Sequence, residues 1–315
     1  MSSLKNNQTK CLILISSKNP KKGFGDIYTA QELGLALKNK GWLVSYVSID
    51  DNYVNCKGID VFINLLHRFN LKKIRNEDKK LKKVAWIRNN LDNWINHSNL
   101  KDYDIILCSS KTGCKYLKSK TSKESIYFPI STNPKRFNGM KQISQKYNSD
   151  IVFTGSYWSH YREIIEFIES YNLPYSFKVY GKNWEKIRKN KKNLHGFIEY
   201  KELPEVYSST KIVIDDANHV TKDHGLVNSR VYDALASNCL VLTNNLIGSR
   251  DQFKSVLPTY GSVDELKKLI KYYMENDKER RLKIKELKNI VLSRFTYDKR
   301  ATQLENIIKK DSESN

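Results

Sequence analysis

Residues Lys211–Asn245 read KIVIDDANHVTKDHGLVNSRVYDALASNCLVLTNN. The stretch divides into an apolar strand, Ile212–Ile214, a polar loop with one glycine, Asp215–Val227, a helix, Ser229–Ser237, and a second apolar strand, Leu240–Thr243. Short continuous apolar runs bounded by turn residues suit strands covered on both faces, and a helix between two of them predicts a parallel βαβ unit. In open parallel sheets ligands settle beyond the carboxyl ends of the strands, so the loop and the first helical turn fall on the ligand-facing edge. Asn228 and Ser229 are capping residue types. A helix start carries unpaired N–H groups and positive partial charge, and with Arg230 beside it the segment suits a phosphate or diphosphate. Asp233, one turn further on, is placed to accept from the cis hydroxyls of a ribose. The plainer alternative is a solvated i,i+3 pair between Arg230 and Asp233.

Outward from this stretch the chain repeats the same alternation. Cys11–Ser16, Trp42–Ile49, Val61–Leu66, Val84–Ile87, Ile105–Cys108 and Ser125–Phe128 read as strands, with a helix over Tyr28–Lys40 that Gly41 stops. A second series follows, with strands at Ile151–Thr154 and Ser176–Tyr180, a short strand at His195–Ile198, helices around Tyr161–Tyr171 and Leu203–Ser209, and a charged helical tail over Asp264–Lys310. The tail carries an apolar stripe at Leu266, Leu269, Ile270 and Tyr273. Polar residues 141–149 separate the two series and mark the expected domain boundary. Gly23-Phe24-Gly25, with Asp50 as a ribose acid, evokes a dinucleotide fingerprint. Tyr28 stands where its third glycine belongs, and the strand-to-glycine loop is too long, which disfavours hydride transfer.

The 315 residues are enough for two ordinary domains, and 39% hydrophobic residues with 19 Tyr and 5 Trp describe a folded protein. The net charge of +21 comes from Lys and Arg scattered among Asn, Ser and Glu. That pattern fits a solvated basic surface, with affinity for anionic membranes or phosphorylated substrates, better than a nucleic-acid groove. The five cysteines form no Cys-x-x-Cys pair, three lie in or beside apolar runs, and no His/Cys cluster has metal-ligand spacing. A first apolar run of five residues, Cys11–Ile15, is too short for a secretory signal or a membrane span, so a cytoplasmic protein, peripheral to the membrane at most, is expected.

Several segments, in order, resemble one family. Asn228–Ala236 is similar to the Asn-x-Arg-x-aromatic-Glu-Ala-x-Ala segment of the CgeB-like, spore-coat-type glycosyltransferases. Phe153-Thr154-Gly155-Ser156 with Tyr161-Arg162, Tyr180-Gly181-Lys182-Asn183-Trp184, and His195-Gly196-Phe197 with Leu203-Pro204 resemble further motifs of that family. Gly23–Asp26 and Tyr127–Ile130 with Asn133-Pro134 and Phe137 resemble its acceptor loop and interdomain link. Asp233 and Ser237-Asn238 depart from it, standing where Glu and often a glycine occur.

The resemblance implies an α/β, GT-B architecture of two Rossmann-like domains facing a cleft. Residues 1–140 would form the acceptor-side domain and 141–292 the nucleotide-sugar domain, with 293–315 a final helix packing back on the first. It implies transfer of a sugar from a UDP- or GDP-linked donor to a glycan, lipid-linked or protein hydroxyl, without metal or other cofactor. Arg162, Arg230, Asn228, Ser229, Gly155 and Ser156 would hold the diphosphate, because guanidinium groups and backbone amides stabilise its departing charge. Tyr180, Gly181 and Asp233 would border the nucleoside, and His224 and Asp223 the sugar. His67 or Asp26 would take the acceptor proton. A catalytically silent nucleotide-sugar binder and an epimerase of the same fold are the alternatives.

Overall fold

The computed structural model describes residues 8–19, 22, 24–139, 144–158 and 161–313. Gly23 and residues 141–143, part of the loop and boundary expectations above, lie outside them. The chain divides into two compact units. The first comprises the described residues of Met1–Ser109, Gly113–Pro129 and Tyr297–Asn315; the second comprises those of Ser110–Thr112 and Ile130–Thr296.

The first unit is built on β1 (Lys10–Ile15), α1 (Gly25–Lys38), β2 (Leu43–Ser48), β3 (Val54–Asn55), β4 (Val61–Asn64), β5 (Ile74–Arg75), β6 (Lys82–Ile87), α2 (Leu91–Ile95), β7 (Ile105–Cys108), α3 (Lys111–Thr121) and β8 (Ile126–Tyr127). Its main sheet is parallel in the order β2-β1-β4-β6-β7-β8, and β3 pairs with β5 in a separate two-stranded ribbon. The central strands β4 and β7 are buried at every position, as their uninterrupted apolar runs require. Helix α1 begins at Gly25 rather than Tyr28, which brings Asp26 into its first turn.

The second unit holds β9 (Ser149–Thr154), α4 (Glu163–Glu169), β10 (Phe177–Tyr180), α5 (Leu203–Ser208), β11 (Thr210–Asp215), α6 (His219–Lys222), α7 (Ser229–Ala236), β12 (Leu240–Thr243), α8 (Leu246–Phe253), α9 (Val263–Glu275) and α10 (Asp277–Arg294). Its parallel sheet runs β10-β9-β11-β12. The Lys211–Asn245 stretch thus folds as the expected strand–helix–strand unit, interrupted by the extra turn of α6. His195–Ile198 is not a strand; only Leu194 bridges Val179.

The chain passes into the second unit at Ile130, earlier than the polar stretch at residues 141–149 suggests. Phe137 is the reason: its ring is fully buried, 5.7 Å from Tyr200 and 6.2 Å from Tyr207. Entry and exit are clipped together where Thr132 bridges Thr296 and donates its N–H to Phe295 O at 3.0 Å. The last helix, α11 (Tyr297–Glu313), returns to the first unit and packs on α1. Ala301 and Leu304 are buried, and Gln303 donates to Tyr127 O at 2.8 Å.

Candidate functional site

In the second unit the sheet ends at Thr154, Tyr180, Asp215 and Thr243, and the polar residues beyond these positions form one network. β11 ends at Asp215 and Asp216 follows it directly, two wholly buried carboxylates. Each claims one arginine. Arg230 Nη1 donates to Asp215 Oδ1 at 2.6 Å and its Nε to Thr154 O at 2.7 Å. Arg162 Nε donates to Asp216 Oδ2 at 2.8 Å, and its Nη1 to Ser156 O at 3.3 Å. The two guanidinium groups lie over Phe153, 4.8 and 5.2 Å from the ring centroid, so residues 68 positions apart in sequence share one aromatic support.

The remaining oxygens are satisfied as buried charge requires. Thr243 Oγ1 donates to Asp215 Oδ2 at 2.7 Å and Asn228 Nδ2 to Asp215 Oδ1 at 3.2 Å. Asn244 Nδ2 reaches Asp216 Oδ1 at 2.9 Å and Glu163 Oε2 at 3.0 Å, and Lys222 Nζ reaches Glu163 Oε1 at 2.6 Å. Burial pushes the Asp216 carboxyl upward, opposed by the charge of Arg162. Three carboxylates balance three cations here, so the network orients the guanidinium groups without presenting excess positive side-chain charge. Two features remain for an anion. Arg230 Nη2 has no hydrogen-bond partner among the described residues and lies over Gly155, where a Cβ would stand 2.8 Å from it. The start of α7 has no side-chain cap, because Asn228 turns to Asp215 instead.

Several sequence expectations are revised. Asn228 does not cap α7. Arg230 does not pair with Asp233, whose buried carboxylate accepts from Thr132 Oγ1 at 2.6 Å and so is not open to a ribose. The Gly155 N–H is used internally, donating to Tyr180 O at 2.8 Å, and the Ser156 hydroxyl accepts from Lys182 N at 3.0 Å. The Tyr180 ring is buried between Tyr147 and His195, at 6.2 and 5.5 Å, in the interior rather than at a nucleoside edge. Gly181 is held at φ +156° with Gly155 O only 2.0 Å from where a Cβ would be, so no other residue fits this crossing. Ser229 opens α7 half-buried, and Asp223 and His224 follow α6, with His224 O accepting from Ser110 Oγ at 2.5 Å. Sequence reasoning missed Asp215, Asp216, Glu163, Lys222 and Asn244. Two acids directly after a buried strand were the available signal, since only fixed cations stabilise carboxylates there.

In the first unit a smaller constellation forms at the ends of β1, β4 and β6. Asp26 accepts from Ser16 N at 2.6 Å and Ser16 Oγ at 2.8 Å. Arg88, buried directly after β6, donates from Nη2 to Leu65 O at 3.3 Å, and its Nε has no hydrogen-bond partner among the described residues. Burial pushes its pKa down, and the charge of Asp26 opposes that. His67 follows β4 half-buried, its pKa lowered by burial and then by Arg68 and His97. A lowered pKa favours the neutral imidazole, the form that can accept a proton, while weakening it as a base. Arg88 was another residue the sequence did not single out.

Residues 142–306, just over half the chain, match the family described as glycosyl transferase-like. Comparison by sequence with curated proteins finds no match. Among solved structures, a glycosyltransferase from Rickettsia africae is similar, with TM-score 0.67 and 12% identity over 98% of this chain and 100% of that one. HepE from Anabaena, in complex with UDP-glucose, has TM-score 0.72 and 10% identity over 96% and 100%. The DNA-modifying β-glucosyltransferase has TM-score 0.62 and 16% identity over 96% and 100%. With the network placed and these likenesses in hand, the fold is GT-B and the chain belongs to the glycosyl transferase-like family.

Proposed function

We propose that the protein transfers a sugar from a nucleotide diphosphate sugar to a hydroxyl of a glycan, lipid-linked or protein acceptor. One observation carries this: Arg162 and Arg230, fixed by Asp216 and Asp215, share the ring of Phe153, and Arg230 stands in the first turn of α7, whose start has no side-chain cap. Donors held rigid before reaction stabilise charge that develops on a leaving diphosphate without reorganising. Arg230 Nη2 and the first amides of α7 bind the diphosphate, while Arg162 and Asp216 keep the surrounding backbone in place. UDP-glucose in the HepE complex supports a uridine-linked donor. In the first unit Asp26 or His67 takes the proton from the attacking hydroxyl as the new C–O bond forms and the bond to the diphosphate breaks. The CgeB-like placement, metal-independent turnover and contact of the basic surface with anionic membrane belong to the same proposal.

The test is nucleotide release from a panel of nucleotide sugars, with and without acceptor and chelator. Arg230→Lys keeps a charge opposite buried Asp215, and is expected to keep the fold by circular dichroism while losing about 100-fold in kcat/KM. Chelator is expected to leave turnover intact. Donor binding without any nucleotide release would make the protein a silent binder, and unchanged kinetics in Arg230→Lys would remove the diphosphate role.

A further inference from the structure

Two of the five thiols lie against each other. Cys108 closes β7 and is wholly buried; Cys114 stands in the first turn of α3 and is half-buried. The Cys108 thiol donates a hydrogen bond to the Cys114 sulfur. Cys11, Cys56 and Cys239 are wholly buried, as small apolar side chains in a core would be. That account does not extend to Cys114, which solvent reaches.

The surroundings of Cys114 favour its thiolate. A hydrogen bond donated to a sulfur stabilises the charged form. Exposed Lys111 and Lys115 flank Cys114 in the chain, and the start of a helix carries positive partial charge. Glu124, whose charge opposes the thiolate, is paired with Lys118 at 2.5 Å. No third His, Cys, Asp or Glu completes a metal-binding group with the pair among the described residues. An accessible sulfur poised as thiolate beside a second, sheltered thiol is the arrangement in which oxidation ends in a disulfide.

We propose that Cys108 and Cys114 are a redox-active dithiol, closed to a disulfide by hydroperoxides and reopened by thiols. The Cys114 thiolate attacks one oxygen of hydrogen peroxide, forming an S–O bond as the O–O bond breaks. The departing hydroxide takes up a proton and becomes water. Cys108 then attacks the sulfenic sulfur: the S–S bond forms, the S–O bond breaks, and the second oxygen leaves as water with the proton from Cys108. Two thiols lose two electrons, and peroxide is reduced to two waters. The span between the sulfurs is pinned, Ser110 Oγ donating to His224 O at 2.5 Å and Thr112 N to Asp251 Oδ2 at 2.9 Å. A partner held in place outcompetes one that must arrive from solution, so the bridge forms within one chain. No step involves a sugar donor, so this inference and the transferase proposal fail independently.

The experiment is a tryptic peptide map of the full native chain after brief exposure to a few equivalents of hydrogen peroxide, quenched with iodoacetamide. Cleavage after Lys101, Lys111 and Lys115 puts the two thiols on separate peptides, Asp102–Lys111 and Thr112–Lys115. The peptides are expected to emerge joined, two hydrogens lighter than their sum, and to separate after dithiothreitol. Cys108→Ala is expected to stop Cys114 at the sulfenic acid, which dimedone captures. Cys114→Ser is expected to slow oxidation of Cys108 by about tenfold or more, because the buried thiol has lost its accessible partner. Circular dichroism and melting temperature check that both variants fold. Oxidised Cys114 in the native chain without joined peptides, linkage between the Cys114 residues of two chains, or joined peptides only in denaturant would each overturn the dithiol. So would undiminished oxidation of Cys108 in Cys114→Ser. Should Cys108→Ala fail to fold, the native map and Cys114→Ser decide the matter alone.

Discussion

At the scale of single residues, geometry separates arginines that look equivalent in sequence. Arg162 spends its donors on Asp216 and Ser156, whereas Arg230 keeps Nη2 unspent, so the second is the more direct anion ligand. A thiol of the first unit offers an independent check. The Cys114 pKa is lowered to about 7, chiefly by a hydrogen bond from Cys108, then helped by Ser125 and opposed by burial. The thiolate is the reactive form, so alkylation of Cys114 is expected to accelerate through pH 7, below the ordinary thiol value of about 8.5. Burial pushes Cys11 and Cys239 the other way, and both stay unreactive in the native protein. Mass-spectrometric rates of iodoacetamide labelling against pH test this, and a Cys114 midpoint at or above about 8.5 would contradict it.

At the scale of elements, α7 is decided by partners outside itself. Its spacing predicts an internal Arg230–Asp233 pair worth about 0.3 kcal/mol on a solvated face. The fold instead sends Arg230 to the end of β11 and Asp233 inward to Thr132, where the chain enters the unit. Asp233 therefore ties α7 to the Thr132–Thr296 crossing, beneath the last residues of the second unit. Thr132→Val keeps the shape and removes the donor to a buried carboxylate, which is expected to lower stability by about 1 to 3 kcal/mol in urea unfolding. A loss below about 0.5 kcal/mol would show the bond to be incidental.

At the scale of the whole molecule, the first unit is completed only by the last residues of the chain. Helix α11 buries Ala301 and Leu304, and Lys40 pairs with Glu305 at 3.4 Å. Truncation before Tyr297 is expected to strip the α1 face of its cover and unfold the first unit, while the second keeps slow hydrogen exchange. Equal protection of both units in the truncated protein would show α11 to be dispensable. The motif order made two α/β halves legible in advance, but residues 130–139 were harder to place. Their turn-like composition hid Phe137, whose burial among Tyr200 and Tyr207 depends on rings more than 60 positions away.

The sequence alone determined the parallel strands, because apolar runs such as VFIN and IILC have no face to offer water, and it located the strand–helix–strand unit of Lys211–Asn245, because strand and helix signals alternate there. Only the tertiary structure decided which charges meet. Asp215 and Asp216 are neighbours in sequence, yet their partners Arg230 and Arg162 come from α7 and the segment before α4, and Asn228 is drawn from its cap to the same carboxylate. Local spacing records which side chains share a helix face, whereas a buried charge must find its counterion wherever the folded backbone brings one within about 3 Å.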